Sequence, residues 1–459
     1  MALRTPPEFQ SAAATAAAAI RRIPADQPVR LKKQTSNLFR ARTEAHDGLD
    51  LSAFDGVYSV DPQARTAVVG GLTTYEDLVA ATLPHGLVPM CVPQLRTITI
   101  GGAVTGMGIE AASFRNGVPH ESVLAMDILL GDGRVVHATA DGPDADLFAG
   151  FANSYGSLGY ALRLEIELEP VKKYVALRHV PFAEMAPLVA AIAQISATGV
   201  WDGQDVDYLD GTVFSPTEMY LTLGQYTNEA TQEPSNYRGQ DIYYRSIQQR
   251  RTDLLTTLDY LWRWDTDWFW CSRAMGAQNP YIRRLWPKKW LRSDVYWKII
   301  AWDRKLGFAA KLDRARNRPA REPVVQDIEV PLAELGAFLE FFHKDVGISP
   351  IWICPLQQRD PAARWPLYQF DPEVTYVNVG FWSTVPLPAG VEPAEGRINR
   401  AIEHTVTALD GRKSLYSTAF YEKGEFYEIY GQDDYAALKA QYDPTNRLTG
   451  LFEKCVSGE

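Results

Sequence analysis

Cysteine is scarce and scattered in this chain. Cys91, Cys271, Cys354 and Cys455 form no C-x-x-C pair and no metal-ligand spacing, which excludes a disulfide scaffold and a zinc ribbon. The expectation is reduced thiols in a cytoplasmic protein. Histidine is equally thin: HESVL at 120–124 lacks the second His of a zinc site, and DVDYLDG at 205–211 has its glycine one place too late for a calcium loop. No metal is expected. Neither a P-loop nor G-x-S-x-G occurs. No apolar run reaches the roughly 18 residues of a membrane span. The alanine-rich SAAATAAAAIRR near the N-terminus has no leucine core and no basic lead, so it reads as a Pro-started helix rather than a signal peptide. Basic charge is also lacking: the net charge of −10 argues against a nucleic-acid partner.

What is present is an ordinary globular composition, 46% hydrophobic and 22% charged over 459 residues, enough for two or three domains. Arg outnumbers Lys 32 to 14, a GC-rich bacterial flavour. Residues 29–170 alternate short β runs with few helices, an α+β texture. GDG at 131–133 predicts a hairpin turn, and TTYEDLVAATLPHG a helix capped by Thr and closed by Gly86. Beyond residue 170 the strands DYLDGTVFS, MYLTLGQYT, VVQDIEVP, IWICPL and VTYVNVGFW mix with helices, and SLYSTAFY reads as a further strand.

The stretch TITIGGAVTGMGIEAAS, 97–113, holds four glycines between Gly101 and Gly108. Gly106, Gly108 and Ala111 spell G-x-G-x-x-A, but SFRNGVPH follows, where a Rossmann unit needs a long helix. The remaining readings are a structural turn or a backbone nest that wraps a phosphate-bearing cofactor without a helix end.

Val92-Pro93, Thr99-Ile100-Gly101-Gly102, Gly106, Gly108, Ser113 and Asn116-Gly117, followed in order by Asp127, GDGRVV, DADLF and YGSLGYALRLEIEL, resemble the FAD-binding domain of vanillyl-alcohol-oxidase-type (PCMH-type) oxidoreductases. GMGIEAAS, LEPVKKYVALR, VVQDIEVP, PIWICPL and YSTAFYEKGEFYE are most similar to the sterol Δ24-reductase branch and its bacterial relatives that reduce methylene-branched fatty acyl chains. The resemblance implies a two-subdomain FAD-binding domain over 1–170, a mixed α/β substrate (cap) domain over 171–430, and a C-terminal segment 431–459 that returns to the FAD domain. It implies that FAD contacts Pro93, Thr99, Ile100, Gly101, Gly102, Thr105, Gly106, Met107, Gly108, Ile109, Glu110, Ser113, Gly156, Ser157 and Gly159. The family's Arg-Gly-Gly-Gly-His loop is replaced by VRLKKQTSNLFR at 29–40, so covalent attachment by that His is not expected. There, Lys32, Lys33, Ser36 and Asn37 either reach the pyrophosphate or stand in solvent.

The implied reaction is reduction of an unactivated C=C bond in a lipid, with noncovalent FAD and with NADPH as electron donor. Protonation, first or in concert, gives tertiary-carbocation character, which needs a proton donor in a dry pocket. Glu110, Tyr416 and Glu425 are the candidates, each with a purely structural alternative. No second dinucleotide fold is visible, which predicts ping-pong kinetics. A flavin oxidase of the same fold and a lipid-binding protein without turnover are the rivals.

Eight of the twelve tryptophans lie between Trp262 and Trp302, and residues 281–305 carry eight Lys or Arg against two Asp. Trp beside basic residues marks a membrane interface. A packed helix of the substrate domain and an oligomer contact are the alternatives. The expected partners are a lipid substrate, the inner face of the cell membrane through 281–305, and a methyltransferase.

Overall fold

The computed structural model describes residues 6–32, 39, 48–306, 319–388 and 390–458. Ser36, Asn37 and Lys33 lie outside them.

Strands β1 (Val57–Asp61), β2 (Thr66–Gly70), β3 (Leu87–Pro89), β4 (Val123–Leu129), β5 (Val135–Thr139) and β6 (Tyr160–Pro170) form an antiparallel sheet in the order β1-β2-β6-β4-β5, with β3 on the far end of β6. The period-2 pattern of β6 explains its central place: Leu162, Leu164, Ile166 and Leu168 are buried, while Arg163, Glu165 and Glu167 alternate with them. The alanine-rich segment is a helix, Pro6–Arg22, that packs Phe9 and Ile20 against Phe54 and Leu129. The GDG turn joins β4 to β5, with Gly133 at φ 85°.

β7 (Tyr174–Phe182) begins the other sheet. It is joined by β10 (Tyr208–Ser215), β11 (Glu218–Thr227), β12 (Thr252–Thr256), β13 (Arg321–Pro331), β14 (Ile351–Leu356), β15 (Tyr376–Pro386) and β16 (Arg412–Lys413), in the order β12-β7-β11-β10-β14-β15-β13-β16. The small hairpin of β8 (Val200–Trp201) and β9 (Gln204–Asp205) stands apart. Alternation sorts the two faces of the large sheet. Ile328 and Val330 of β13, Ile351 and Ile353 of β14, and Val377, Val379 and Phe381 of β15 pack under the helices Met185–Thr198, Leu335–Phe341 and Arg397–Ala408. The intervening residues Asp327, Glu329, Trp352, Asn378 and Trp382 fall on the opposite face. The helix Gln432–Tyr442 returns to the first sheet's side, with Leu438 seated on Gly150, and Val29 bridges to Leu448.

Two segments differ from the sequence expectation. The glycine stretch is not a helix-free nest: Ile100–Gly106 is helical, with Thr99 as N-cap. SLYSTAFY is a turn with one bridge, Phe39 to Ser417. The Ser414 N–H is drawn to the Asp327 carbonyl at 3.0 Å, and the chain leaves the sheet there.

Candidate active site

A cavity of about 520 Å³ lies between the first sheet's loops and the polar face of the second. One part is lined by the glycine helix and its exit. Its first-turn donors are already engaged: Ile100 N–H bonds to the Thr73 carbonyl and Gly101 N–H to the Gly71 carbonyl, both at 2.9 Å, and Gly102 N–H to Thr99 Oγ1 at 3.3 Å. A phosphate therefore finds no free donor in that first turn. Gly101 and Gly108 are also demanded by packing. A Cβ on Gly101 would stand 2.6 Å from the Gly71 carbonyl oxygen, and one on Gly108 would stand 2.8 Å from the Pro93 ring. Met107 leaves the helix at φ 52°, a strained value for a residue with a side chain.

The YGSLG turn clamps this exit. Tyr155 N–H bonds to the Thr105 carbonyl at 2.9 Å, and the Tyr155 hydroxyl donates to the Gly106 carbonyl at 2.8 Å. Tyr155 and Gly156 both take positive φ. Lys454 then ties the turn from the C-terminal segment, donating to the Gly156 carbonyl at 2.7 Å.

Of the residues expected at the cofactor, Pro93, Thr99, Gly101, Gly102, Thr105, Gly106, Met107, Gly108, Ile109, Gly156 and Gly159 line the cavity. Four do not. Ile100 is packed in the core, Ser113 turns inward to accept from the Glu110 N–H at 3.1 Å, and the Ser157 hydroxyl donates to the Ser154 carbonyl at 2.7 Å. Glu110 is fully buried behind Gln94, which donates to its carboxylate at 2.7 Å, with Arg263 3.8 Å away. Burial pushes the Glu110 carboxyl up to about 7, against the pull of Arg263, but it has no face on the cavity. Arg263 in turn bonds Asp210 at 2.9 Å, and Asp210 also accepts from the indoles of Trp264 and Trp352. This buried cluster fixes Trp352, a cavity wall, rather than reaching the reactants.

Glu425 is likewise corrected. It sits in the helix Lys423–Ile429, where its carboxylate accepts from the Glu422 N–H at 3.3 Å as a capping box. Tyr416 does line the cavity. Its oxygen accepts from Trp382 Nε1 at 2.9 Å, and it hydrogen-bonds Asp327.

Asp327 is the residue the sequence reading missed. It opens on the cavity from β13, opposite Gly380 of β15, where any Cβ would collide with the Asp327 carboxylate. Burial raises its pKa to about 7, against hydrogen bonds from Asn378, at 3.3 Å, and Tyr416. Glu329, two residues along on the same face, is raised to about 8, chiefly by burial; Tyr368 and Ser414 hold it. Two acids two residues apart in the strand VVQDIEVP were a legible signal, since a charged residue inside a buried strand needs a reason.

Around Asp327 the lining turns aromatic: Trp268, Phe269, Trp352 and Trp382, with Phe269 and Trp382 ring centroids 4.2 Å apart. Trp268 and Phe269 both take positive φ, at 46° and 58°. No composition signal marks that reversal. Trp262, Trp264 and Trp270 are buried as well, so the first half of the tryptophan-rich segment is core and cavity wall, not a lipid-facing surface.

These residues fit FAD. The cavity combines a glycine-lined portion, the cations Arg30, Lys32 and Lys454, and an aromatic portion. Arg30 Nε is buried with no acceptor among the described residues, a donor suited to a phosphate oxygen.

The FAD binding domain family matches residues 8–139. The chain is 24% identical to a Δ24-sterol reductase of Arabidopsis thaliana and 28% identical to one of Pisum sativum, in each case over 90% of this chain and 77% of that protein. It is also 34% identical to decaprenylphosphoryl-β-D-ribose oxidase of Mycolicibacterium smegmatis over 27% of each chain. Among the described residues no helix is long and apolar enough to cross a membrane. With the cavity's fit to a flavin dinucleotide, these likenesses make the chain an FAD-dependent oxidoreductase with a PCMH-type FAD-binding domain, similar to the sterol reductases over nine-tenths of its length.

Proposed function

We propose that the protein reduces an unactivated C=C bond in a lipid, taking electrons from NADPH, and that the substrate is a methylene-branched fatty acyl chain of a phospholipid that becomes methyl-branched. The observation that carries the reading is Asp327: a carboxyl whose pKa is raised to about 7, beside Tyr416, in the part of the cavity walled by Trp268, Phe269, Trp352 and Trp382. An isolated alkene carries no group that hydrogen bonds could polarise, so a proton must be given to carbon directly by an acid kept neutral near pH 7.

When bound, FAD supplies the reducing electron pair. The chain's own residues manage the proton. Asp327 gives its proton to the terminal methylene carbon, so that positive charge develops at the more substituted carbon. Tyr416 and Asn378 then hold the carboxylate left behind. The aromatic walls exclude water that would capture a cationic carbon. The FAD is proposed to be noncovalent; among the described residues that line the cavity none is a histidine or cysteine.

The Arg-rich composition suits a bacterial gene, which tilts the reading toward the acyl substrate, and the proposed location is the cytoplasmic face of the cell membrane. A methylene branch arises by one-carbon transfer to an unsaturated chain, so a methyltransferase is the proposed supplier. The similarity to sterol reductases favours a second reading, a sterol or isoprenoid side chain as substrate. Anaerobic reduction by NADPH, followed by addition of each lipid, separates them. Return of the oxidised flavin spectrum with methylene phospholipid but not with a side-chain-unsaturated sterol supports the acyl reading; recovery with the sterol alone transfers the function to sterols. A flavin that NADPH leaves oxidised points to an oxidase.

A further inference from the structure

Residues 280–302 have a split character. Arg283 is buried and paired with Asp267 at 2.7 Å, while Leu291 and Tyr296 are core. Yet Tyr281 is 84% exposed, Leu285 85%, Trp290 49% and Trp302 66%. With Ile282 they cluster in one segment, whereas the other exposed large hydrophobics among the described residues, Leu124, Val135 and Leu258, are scattered singly and at most 42% exposed. Arg284, Lys288, Lys289 and Lys298 are exposed among them. The only acid from 281 to 302 is Asp294, half-buried and bonded to Arg292 at 2.8 Å.

We propose that Pro280–Trp302 is the surface by which this protein docks on an anionic lipid bilayer. Charge selects that occupant. With 56 acidic against 46 basic residues overall, most of the molecule is repelled by an anionic membrane, and this segment is the local inversion that orients it. A second copy of the same face would set four exposed cations against four like charges in a two-fold contact. Trp290 and Trp302 suit the headgroup level, and Leu285 the acyl boundary below it.

The docking element also backs the cavity wall. Within the helix Ser293–Leu306, Trp297 packs against Phe39 at 5.5 Å and Trp268 at 6.3 Å between ring centroids. Phe39 and Trp268 both line the cavity. A lipid-borne chain entering beside this helix passes from bilayer to aromatic cavity with little exposure to water. The surface goes beyond the choice of reaction, and its test needs no turnover.

The holoenzyme is floated with vesicles of phosphatidylcholine alone and of phosphatidylcholine with phosphatidylglycerol. Binding is expected only to the anionic vesicles, weakening with salt. K288E/K289E should weaken it at least roughly 25-fold, about fivefold for each lysine, and L285S/W290S should abolish the blue shift of tryptophan fluorescence on binding. An unchanged flavin spectrum shows that both variants are folded. Absence of binding to anionic vesicles, or binding that both variants retain, overturns the proposal. So does a change from dimer to monomer in these variants with vesicle binding intact, which would make the face a subunit contact.

Discussion

Trp382 Nε1 donates to the Tyr416 hydroxyl at 2.9 Å, and that bond leaves the phenol's own proton for Asp327. The trio is assembled from three separate pieces of chain: β13 brings Asp327, β15 brings Trp382, and the turn after β16 brings Tyr416. Burial and the neighbouring Asp327 hold the phenol well above its ordinary pKa, so Tyr416 stays a donor throughout the neutral range. It serves to stabilise the carboxylate rather than to ionise.

Replacing the acid separates the two halves of the reaction. Asp327→Asn keeps the size of the side chain and removes its transferable proton. Flavin reduction by NADPH should proceed at a near-normal rate, whereas reoxidation by the lipid should slow by about 10²–10⁴-fold, the usual contribution of a positioned acid. Tyr416→Phe should slow the lipid step less, because Asn378 still supports the carboxylate. Anaerobic stopped-flow absorbance of the flavin reads both steps. Equal slowing of the two half-reactions by Asp327→Asn would remove Asp327 from the role of donor.

The pH dependence follows with a definite sign. Proton donation needs Asp327 neutral, and its pKa is raised to about 7, so the lipid step should fall as pH rises above 7, by about tenfold per unit. Stability moves the same way. Unfolded Asp and Glu release their protons near pH 4, whereas folded Asp327 and Glu329 keep theirs to about 7 and 8. Between those limits the folded state binds more protons, and its stability declines as pH rises. Glu329→Gln should flatten the melting temperature of the apoprotein between pH 5 and 8.

Gly380 should tolerate no side chain. A Cβ there would overlap the Asp327 carboxylate and stand 2.6 Å from the Trp382 ring. Gly380→Ala is expected to destabilise the fold by about 1–3 kcal/mol, as overpacking does, and to slow the lipid step well beyond what that loss of stability explains. Urea unfolding and stopped-flow absorbance on the same preparation distinguish the two effects.

Local signals carried much of this architecture, and long-range ones did not. β6 was legible because LRLEIELE alternates strictly, and the Thr74-capped helix because its cap, its acids and Gly86 are contiguous. The glycine helix was hidden because Gly disfavours helix locally, whereas Thr73 and Gly71, which tether its first turn, lie about thirty residues away. Glu110 invited a catalytic role by standing inside the motif, yet only the fold shows Gln94 between it and the cavity. Asp327 meets Tyr416 across nearly ninety residues of chain, and no spacing rule joins them. The tryptophan cluster mixed two populations, one walling the cavity and one exposed, which composition alone cannot sort.

Lys454 offers a test of how the C-terminal segment serves the cofactor. Its ammonium bonds the Gly156 carbonyl at 2.7 Å and the Tyr155 carbonyl at 3.3 Å, and the residue lines the cavity beside the turn that clamps the glycine helix. Lys454→Met keeps the length of the stem and removes the charge and the donors. A hydrogen bond to a charged group contributes about 1.5–3 kcal/mol, so FAD affinity should fall by roughly 10- to 100-fold, as read by the recovery of flavin fluorescence on dilution. Arg30→Met, in the N-terminal segment but lining the same cavity, should weaken FAD by a similar factor. Because Arg30 Nε has no acceptor among the described residues, the apoprotein's melting temperature should barely change in that variant, whereas Lys454→Met should lower it through the loosened turn. If the two variants lowered apoprotein stability alike, Arg30 would be holding the fold rather than the cofactor.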